Sequence, residues 1–237
     1  LKAQDILNRG TAEAVDRLIV IADNASSDKT WELARILACK FPFTLRAIRI
    51  PQKGRGRALK IAWSTSKARV RTYMDVDLST DIRQIPELVG PILDGRADVC
   101  FGSRLLPASR VERCAKREFI SRSYNRMLQS YLGVHFHDAQ CGFKAISAEA
   151  ADMLLPLIQD NEWFFDTELL VLAERMGIAS CEFAVRWKED PGTTVHIVDT
   201  VRKDLAGMKR LKASEGQAGS SRPDTYRYPL KQAADAR

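Results

Sequence analysis

Apolar positions along the chain fall into two patterns that take turns. Short, continuous, β-branched-rich runs cover residues 18–22, 43–50, 70–74 and 97–102. Between them apolar residues recur three and four positions apart, as in Trp31, Leu33 or Ala34, and Leu37 or Ala38. The first pattern reads as buried strands and the second as helices with one apolar side. Helices are expected over about 29–39, over 53–67 behind Lys53-Gly54-Arg55-Gly56, and from near Pro86 to Asp94. Ser79 or Thr80 is placed to cap that last segment, and Pro86 suits a first helical turn. The alternation argues for an α/β domain, a largely parallel sheet covered by helices on both faces.

The second half is less regular. A long basic amphipathic helix is expected over 113–132, a short strand over 143–146 and helices over 148–158 and 165–176. A strand over 178–187 and a last helix over 195–211 follow. Residues 213–237 are polar and lack periodicity, so they read as a disordered or loosely docked tail behind a folded domain at 1–212.

Composition narrows the class. Of 237 residues, 45% are hydrophobic, enough for a full core, yet no run reaches the ~20 apolar residues of a membrane span. A formal net charge of +7 favours polyanions or an anionic membrane surface. Aromatics do not interleave with the basic clusters at 53–60, 104–126 and 202–212, which argues against nucleic-acid binding. The five cysteines are odd in number and lack Cys-x-x-Cys spacing, pointing to a reducing compartment without structural zinc. Cys39, Cys100 and Cys181 fall at core-like positions.

Ligands of such sheets collect beyond the carboxyl ends of the strands, and two acidic turns fall there, at 23–28 and at Asp75-Val76-Asp77. Asp75 and Asp77 share a face if the strand continues, and converge on one cation if it turns into a loop. Hard cations such as Mg2+ bind through one or two carboxylates together with substrate phosphates. The spacing by itself also fits an ordinary solvated loop. His135 and His137 would share one face of an extended segment, but no third ligand accompanies them, which favours ordinary surface or core histidines.

Six motifs in order carry a resemblance. They are the Asp-rich turn at 22–28, Lys53-Gly54-Arg55-Gly56, Asp75-Val76-Asp77, Gly102-Ser103-Arg104, Asp138-Ala139-Gln140-Cys141-Gly142-Phe143-Lys144, and Phe165-Asp166-Thr167-Glu168-Leu169-Leu170. Together they resemble the family 2 glycosyltransferases of GT-A (Rossmann-like) fold, most of all the branch making polyprenyl-phosphate sugars such as dolichyl-phosphate mannose and glucose synthases. The resemblance implies that Asp23 contacts the donor nucleoside, with Asn24 standing where the family usually has a second acid. It implies that Lys53 and Arg55 lie beside the donor, and that Asp75 and Asp77 hold Mg2+ or Mn2+ on its diphosphate. Ser79 stands where some relatives have a Gln that could add a ligand. Arg104, with Arg117 and Arg122 as further candidates, would receive an acceptor phosphate through a planar, permanently charged fork. Asp138, Gln140 and Lys144 belong to the loop that closes the acceptor side, and Gly142 is expected to supply a backbone conformation other residues resist.

Asp166 and Glu168 are the remaining acids. Many inverting transferases need a base to deprotonate an acceptor hydroxyl. A lipid phosphate is already largely ionised near neutral pH, so with such an acceptor the pair would position the sugar or basic residues instead. The implied reaction is inverting, metal-dependent hexose transfer from GDP-mannose or UDP-glucose to a polyprenyl phosphate. It would take place at the cytoplasmic inner face of a membrane to which basic helices hold the protein. The rivals are transfer to a sugar or cell-wall hydroxyl, and a catalytically silent nucleotide-binding or scaffold protein. The family's first strand and its Pro-x-x-Asn-Glu type motif are not found, and the missing strand is central, so unpaired backbone is expected on both of its neighbours.

Overall fold

The structure is a computed structural model that describes residues 17–189 and 197–215. Its first half runs β1 (Ile19–Asn24), α1 (Thr30–Lys40), β2 (Leu45–Ile50), α2 (Arg55–Ser64), β3 (Val70–Met74), a 3-10 turn (Ile82–Gln84), α3 (Ile85–Leu93) and β4 (Val99–Ser103). Then follow β5 (Arg110–Glu112), α4 (Ala115–Leu132), β6 (Phe143–Ser147), α5 (Ala148–Leu154), α6 (Phe165–Arg175), β7 (Ser180–Ala184), β8 (Arg186–Lys188) and α7 (Ile197–Glu215). Asp81, rather than Ser79 or Thr80, caps the 3-10 turn by accepting the Arg83 N–H at 3.0 Å. The last helix runs past 211, taking in 213–215. The rest of the expected tail, 216–237, lies outside the described residues.

The α/β class expected from the pattern is present, with a mixed rather than largely parallel sheet. Four strands are ordered β3-β6-β4-β7, β6 antiparallel to both neighbours and β4 parallel to β7. The chain enters β6 at the carboxyl edge of β3, Phe143 opposite Met74, so the strand must run back against its neighbours. The single strand expected over 178–187 is broken at Val185, whose N–H donates to Ser103 O at 3.2 Å while its carbonyl accepts from Arg110 N–H at 2.9 Å. The chain thereby leaves the main sheet and β8 pairs with β5 instead. β1 and β2 form a separate parallel pair. Among the described residues β1 and β3 have one hydrogen-bonded strand neighbour each.

Strand alternation divides the core in two. Val99, Phe101 and Ile146 face α4 to α7, where Leu128, Leu154, Phe165, Leu169 and Met208 pack against them. Cys100, Phe143, Ala145 and Phe183 face α3 and its Ile85, Leu88 and Ile92. Truncating one of the buried phenylalanines to Ala costs about 3–5 kcal/mol in cores of this kind. Of the cysteines expected in the core, Cys100 and Cys181 are buried, whereas Cys39 is exposed on α1.

Candidate functional site

The register of the sheet assembles the centre of the site. Tyr73 of β3 lies opposite Lys144 of β6, and Lys144 opposite Phe101 of β4. Asp75 follows β3 directly, two residues after Tyr73, and its N–H still pairs with Gly142 O, so the two side chains share the face toward α6. Asp166, in the first turn of α6, meets them from above: its Oδ1 lies 2.9 Å from Lys144 Nζ and accepts a hydrogen bond from Tyr73 Oη. Arg55, first residue of α2, closes the group. Its guanidinium lies 3.0 Å from Asp75 Oδ1 and 3.6 Å from Asp166 Oδ2, and donates to Tyr73 Oη at 3.2 Å. It also stacks between the rings of Tyr73 and Trp163, at 5.2 and 5.1 Å from their centroids.

Two glycines explain why α2 reaches this point. A Cβ on Gly54 (φ +148°) would stand 2.4 Å from Asn161 O, and one on Gly56 would stand 2.6 Å from Phe165 Cβ. Their absence lets the helix start bind the loop before α6, through Gly56 N–H to Glu162 O at 3.1 Å and Arg57 N–H to Asn161 O at 3.0 Å. Asn24 holds the same turn from the other side, its Oδ1 accepting Gly54 N–H at 2.8 Å. In this structure Asn24 fixes backbone rather than facing open space.

Electrostatics follow from burial and neighbours. Burial pushes the Asp75 carboxyl above its ordinary range; Arg55 opposes this, and the charges of Asp166 and Asp77 add to it. Burial acts the same way on Asp166, but Lys144, Arg55 and the Tyr73 hydroxyl outweigh it and hold the group below the usual range. The Tyr73 phenol is raised well above 10, first by burial and then by Asp166. Asp138 is buried too, yet Arg104 holds it at about 2. Arg104 grips it through both oxygens, Nε to Oδ2 at 2.7 Å and a terminal nitrogen to Oδ1 at 2.8 Å, with Trp187 under the guanidinium.

Gly142 has a reason different from the one expected. Its φ is not positive; instead, a Cβ there would sit 1.8 Å from Asp75 Oδ2. The Asp75 carboxylate occupies that space, and its N–H donates to Gly142 O at 3.1 Å. After Asp75 the chain turns, Leu78 N–H bonding Asp75 O at 3.2 Å with Leu78 in the left-handed region (φ 54°). Asp77 is exposed, one oxygen accepting Ser79 N–H at 2.9 Å, and the Ser79 hydroxyl is buried without a hydrogen-bond partner. Two carboxylates and an unengaged hydroxyl in one turn form an all-oxygen donor set, which suits a hard divalent cation completed by phosphate oxygens. Asp23, at the end of β1, is 2% exposed, and neither of its oxygens has a hydrogen-bond partner. Arg49 Nε is 3.9 Å away. A buried acceptor with no donor is costly, so Asp23 fits ligand N–H or O–H groups.

Several residues expected here are engaged elsewhere. Lys144 is fully buried, and its ammonium is used by Asp166, by Ala139 O at 2.9 Å and by Cys141 O at 2.6 Å, leaving no donor for an acceptor. Glu168 accepts from Asp160 N–H and pairs with Arg210, each at 2.8 Å. Arg117 pairs with Glu189, Arg122 with Glu118, and Gln140 donates to Asp204 at 3.1 Å. Lys53 is exposed. The histidines make separate carboxylate pairs, His135 with Glu174 at 2.7 Å and His137 with Glu182 at 2.8 Å. Tyr73, Trp163, Glu182 and Asp204 were not expected in the site. Tyr73 alone had a local signal, its position two residues before Asp75 on a strand.

Comparison with known proteins gives the family and the fold. Residues 5–155 match the family model described as Glycosyl transferase family 2. The chain is 37% identical over 190 residues to the glycosyltransferase AglD of Haloferax volcanii, a match covering 80% of this chain and 30% of that protein. It is 32% identical over 179 residues to a dolichyl-phosphate beta-glucosyltransferase of Trichomonas vaginalis, covering 72% of this chain and 52% of that one. The chain thus spans about half the length, or less, of these curated relatives. Its fold is similar, at a TM-score of 0.57 and 19% identity, to glucosyl-3-phosphoglycerate synthase from Mycobacterium tuberculosis, crystallised with Mn2+, uridine-diphosphate-glucose and glycerol 3-phosphate. That superposition covers 92% of this chain and 75% of the other.

Proposed function

The chain belongs to glycosyl transferase family 2, and from that premise we propose that it moves a hexose, glucose in preference to mannose, from a nucleotide diphosphate sugar to a polyprenyl (dolichyl-type) phosphate. The dolichyl-phosphate beta-glucosyltransferases among its relatives support the choice of acceptor and sugar. The observation that carries the reading is the state of the two acids in α6. Asp166 is committed to Lys144, Tyr73 and Arg55 and held below the usual carboxylate range, while Glu168 is turned to Arg210. Neither is open to serve as a general base toward an acceptor hydroxyl: Asp166 is 0% exposed and already held by three partners, and Glu168 is 2% exposed and paired with Arg210. An acceptor phosphate oxygen attacks without one.

On this reading Asp23 accepts hydrogen bonds from the donor nucleoside, and Arg55, aligned by two aromatic rings, faces the diphosphate. Asp75 and Asp77, with Ser79, would hold Mg2+ or Mn2+; bound there, the cation offsets the charge that develops on the departing nucleoside diphosphate. Arg104 receives the acceptor phosphate in the orientation that Asp138 imposes. A phosphate oxygen forms the bond to the anomeric carbon from the face opposite the leaving group. The electron pair of the old C–O bond departs with the diphosphate, so configuration inverts. Asp166 keeps Lys144, Tyr73 and Arg55 in register beneath the sugar.

No helix of the described residues is long and apolar enough to cross a membrane. A lipid acceptor lies in a membrane, so on this reading the site faces a membrane surface. The outward positions Lys116 and Arg126 of α4 and Arg202, Lys209 and Lys212 of α7 are exposed and basic, and each is worth ~1 kcal/mol near an anionic leaflet. Sedimentation with anionic but not neutral vesicles is the expected result. To test the acceptor, radiolabelled UDP-glucose and GDP-mannose are offered with a short polyprenyl phosphate and with the matching polyprenol. Labelled lipid from UDP-glucose and the phosphate alone is expected. Product from the polyprenol would shift the reading to a hydroxyl acceptor.

A further inference from the structure

A row of side chains runs straight across the main sheet: Tyr73 opposite Lys144, Lys144 opposite Phe101, and Phe101 opposite Glu182 of β7. Three of the four are polar, on a face that elsewhere packs against helices. Lys144 and Glu182 are 0% and 2% exposed, a costly placement for two charged groups. Both are turned on the same loop. Lys144 donates to the carbonyls of Ala139 and Cys141. Glu182 accepts from the amides: Oε1 from His137 N–H at 3.0 Å and Asp138 N–H at 3.1 Å, Oε2 from His137 N–H at 3.1 Å, with His137 Nδ1 at 2.8 Å. Asn125 Oδ1 takes the Ala139 N–H at 2.9 Å. Among the described residues these loop atoms have no backbone partner in a strand or helix, so buried side chains replace secondary structure in satisfying the backbone. Asp138, at the centre of the loop, is the residue that grips Arg104 through both oxygens.

Resting on the reading of Arg104 as the acceptor-phosphate group, we propose that Glu182 is a positioning residue: it clamps the His137 and Asp138 amides to β7, so that Asp138 presents the Arg104 guanidinium to the acceptor. Glu182 touches no substrate in this scheme. Its effect passes through Asp138, whose own carboxylate is spent on Arg104, so the clamp governs acceptor capture and leaves the donor side at Asp23, Arg55 and Asp75 alone.

The test measures KM for polyprenyl phosphate and for the sugar nucleotide separately, with thermal melting as a check on folding. E182A is expected to raise acceptor KM about tenfold while donor KM stays within about twofold. E182Q keeps an oxygen for the two amides and is expected to stay within about threefold of wild type; E182D, with the carboxylate drawn back by one methylene, should fall between and serves if E182A does not fold. In an R104Q background E182A should add nothing to acceptor KM, because both changes act through one contact. Parallel rises in both KM values, an unchanged acceptor KM, or an undiminished E182A effect in R104Q overturns the clamp while leaving Arg104 its role. An R104Q protein with normal acceptor KM removes the Arg104 reading, and the clamp with it.

Discussion

Gly142 and Asp75 are two halves of one feature: the carboxylate lies where a Cβ would be, 1.8 Å from its ideal position. Gly142→Ala is therefore expected to push Asp75 out of line and to cut sugar transfer by about 100-fold or more, since small misplacements of a reacting group cost on that order. Initial rates of lipid glucosylation check this, and a melting curve separates misplacement from unfolding. Lys144 presents the opposite case, a buried charge whose partners are all internal. Lys144→Met takes from Asp166 its nearest buried cation, leaving it Tyr73 and Arg55, and strips the Ala139 and Cys141 carbonyls of their donor; it is expected to destabilise the fold by about 3–5 kcal/mol in denaturant titration. Asp138, held at about 2 by Arg104, contributes stability that is complete above its ordinary 3.8 and lost as pH falls through about 2. R104Q is expected to weaken that acid resistance.

At the scale of elements, α7 is tied to the site loop by Asp204, which accepts from Gln140 and is buried against Tyr124. Burial, its largest cause, pushes this carboxyl up to about 6 from 3.8, against the pull of the Tyr124 and Gln140 hydrogen bonds. Between those values the folded protein keeps a proton that the unfolded chain has released, so stability falls as pH rises through about 6. Asp204→Asn is expected to remove that slope: the variant should melt about 2–4 °C above wild type at pH 7, with the gap narrowing toward pH 5. Elements set by local pattern were legible in the sequence, β1 to β4 and the helices between them above all. The break of β7 from β8 at Val185 was not, because it is dictated by carbonyl and amide partners in β4 and β5 far along the chain. The same distinction separates site residues. Asp75, Arg55 and Arg104 sit in short motifs that the family resemblance singled out, whereas Glu182 and Asp204 look like ordinary strand and helix acids until the loop folds onto them.

At the scale of the molecule, Asp75 and Arg104 follow the carboxyl ends of β3 and β4 in the main sheet, while Asp23 lies near the end of β1 in the separate pair and Arg55 starts α2; on the proposed reading Asp23, Arg55 and Asp75 serve the donor and Arg104 and Asp138 the acceptor. The apolar half of this arrangement followed from hydrophobic periodicity. Its polar half required register, since only the pairing of β3, β6, β4 and β7 aligns Tyr73, Lys144 and Glu182. On the proposed reading Asp75 and Asp77 hold the cation on the donor diphosphate, and the most direct measurement is the rate of radiolabelled glucose transfer from UDP-glucose to a polyprenyl phosphate in Mn2+, by wild type and by D75N and D77N. Transfer that is strong in wild type and reduced at least about 100-fold in both variants, with melting temperatures preserved, is the predicted result. Equal transfer by all three proteins would contradict it.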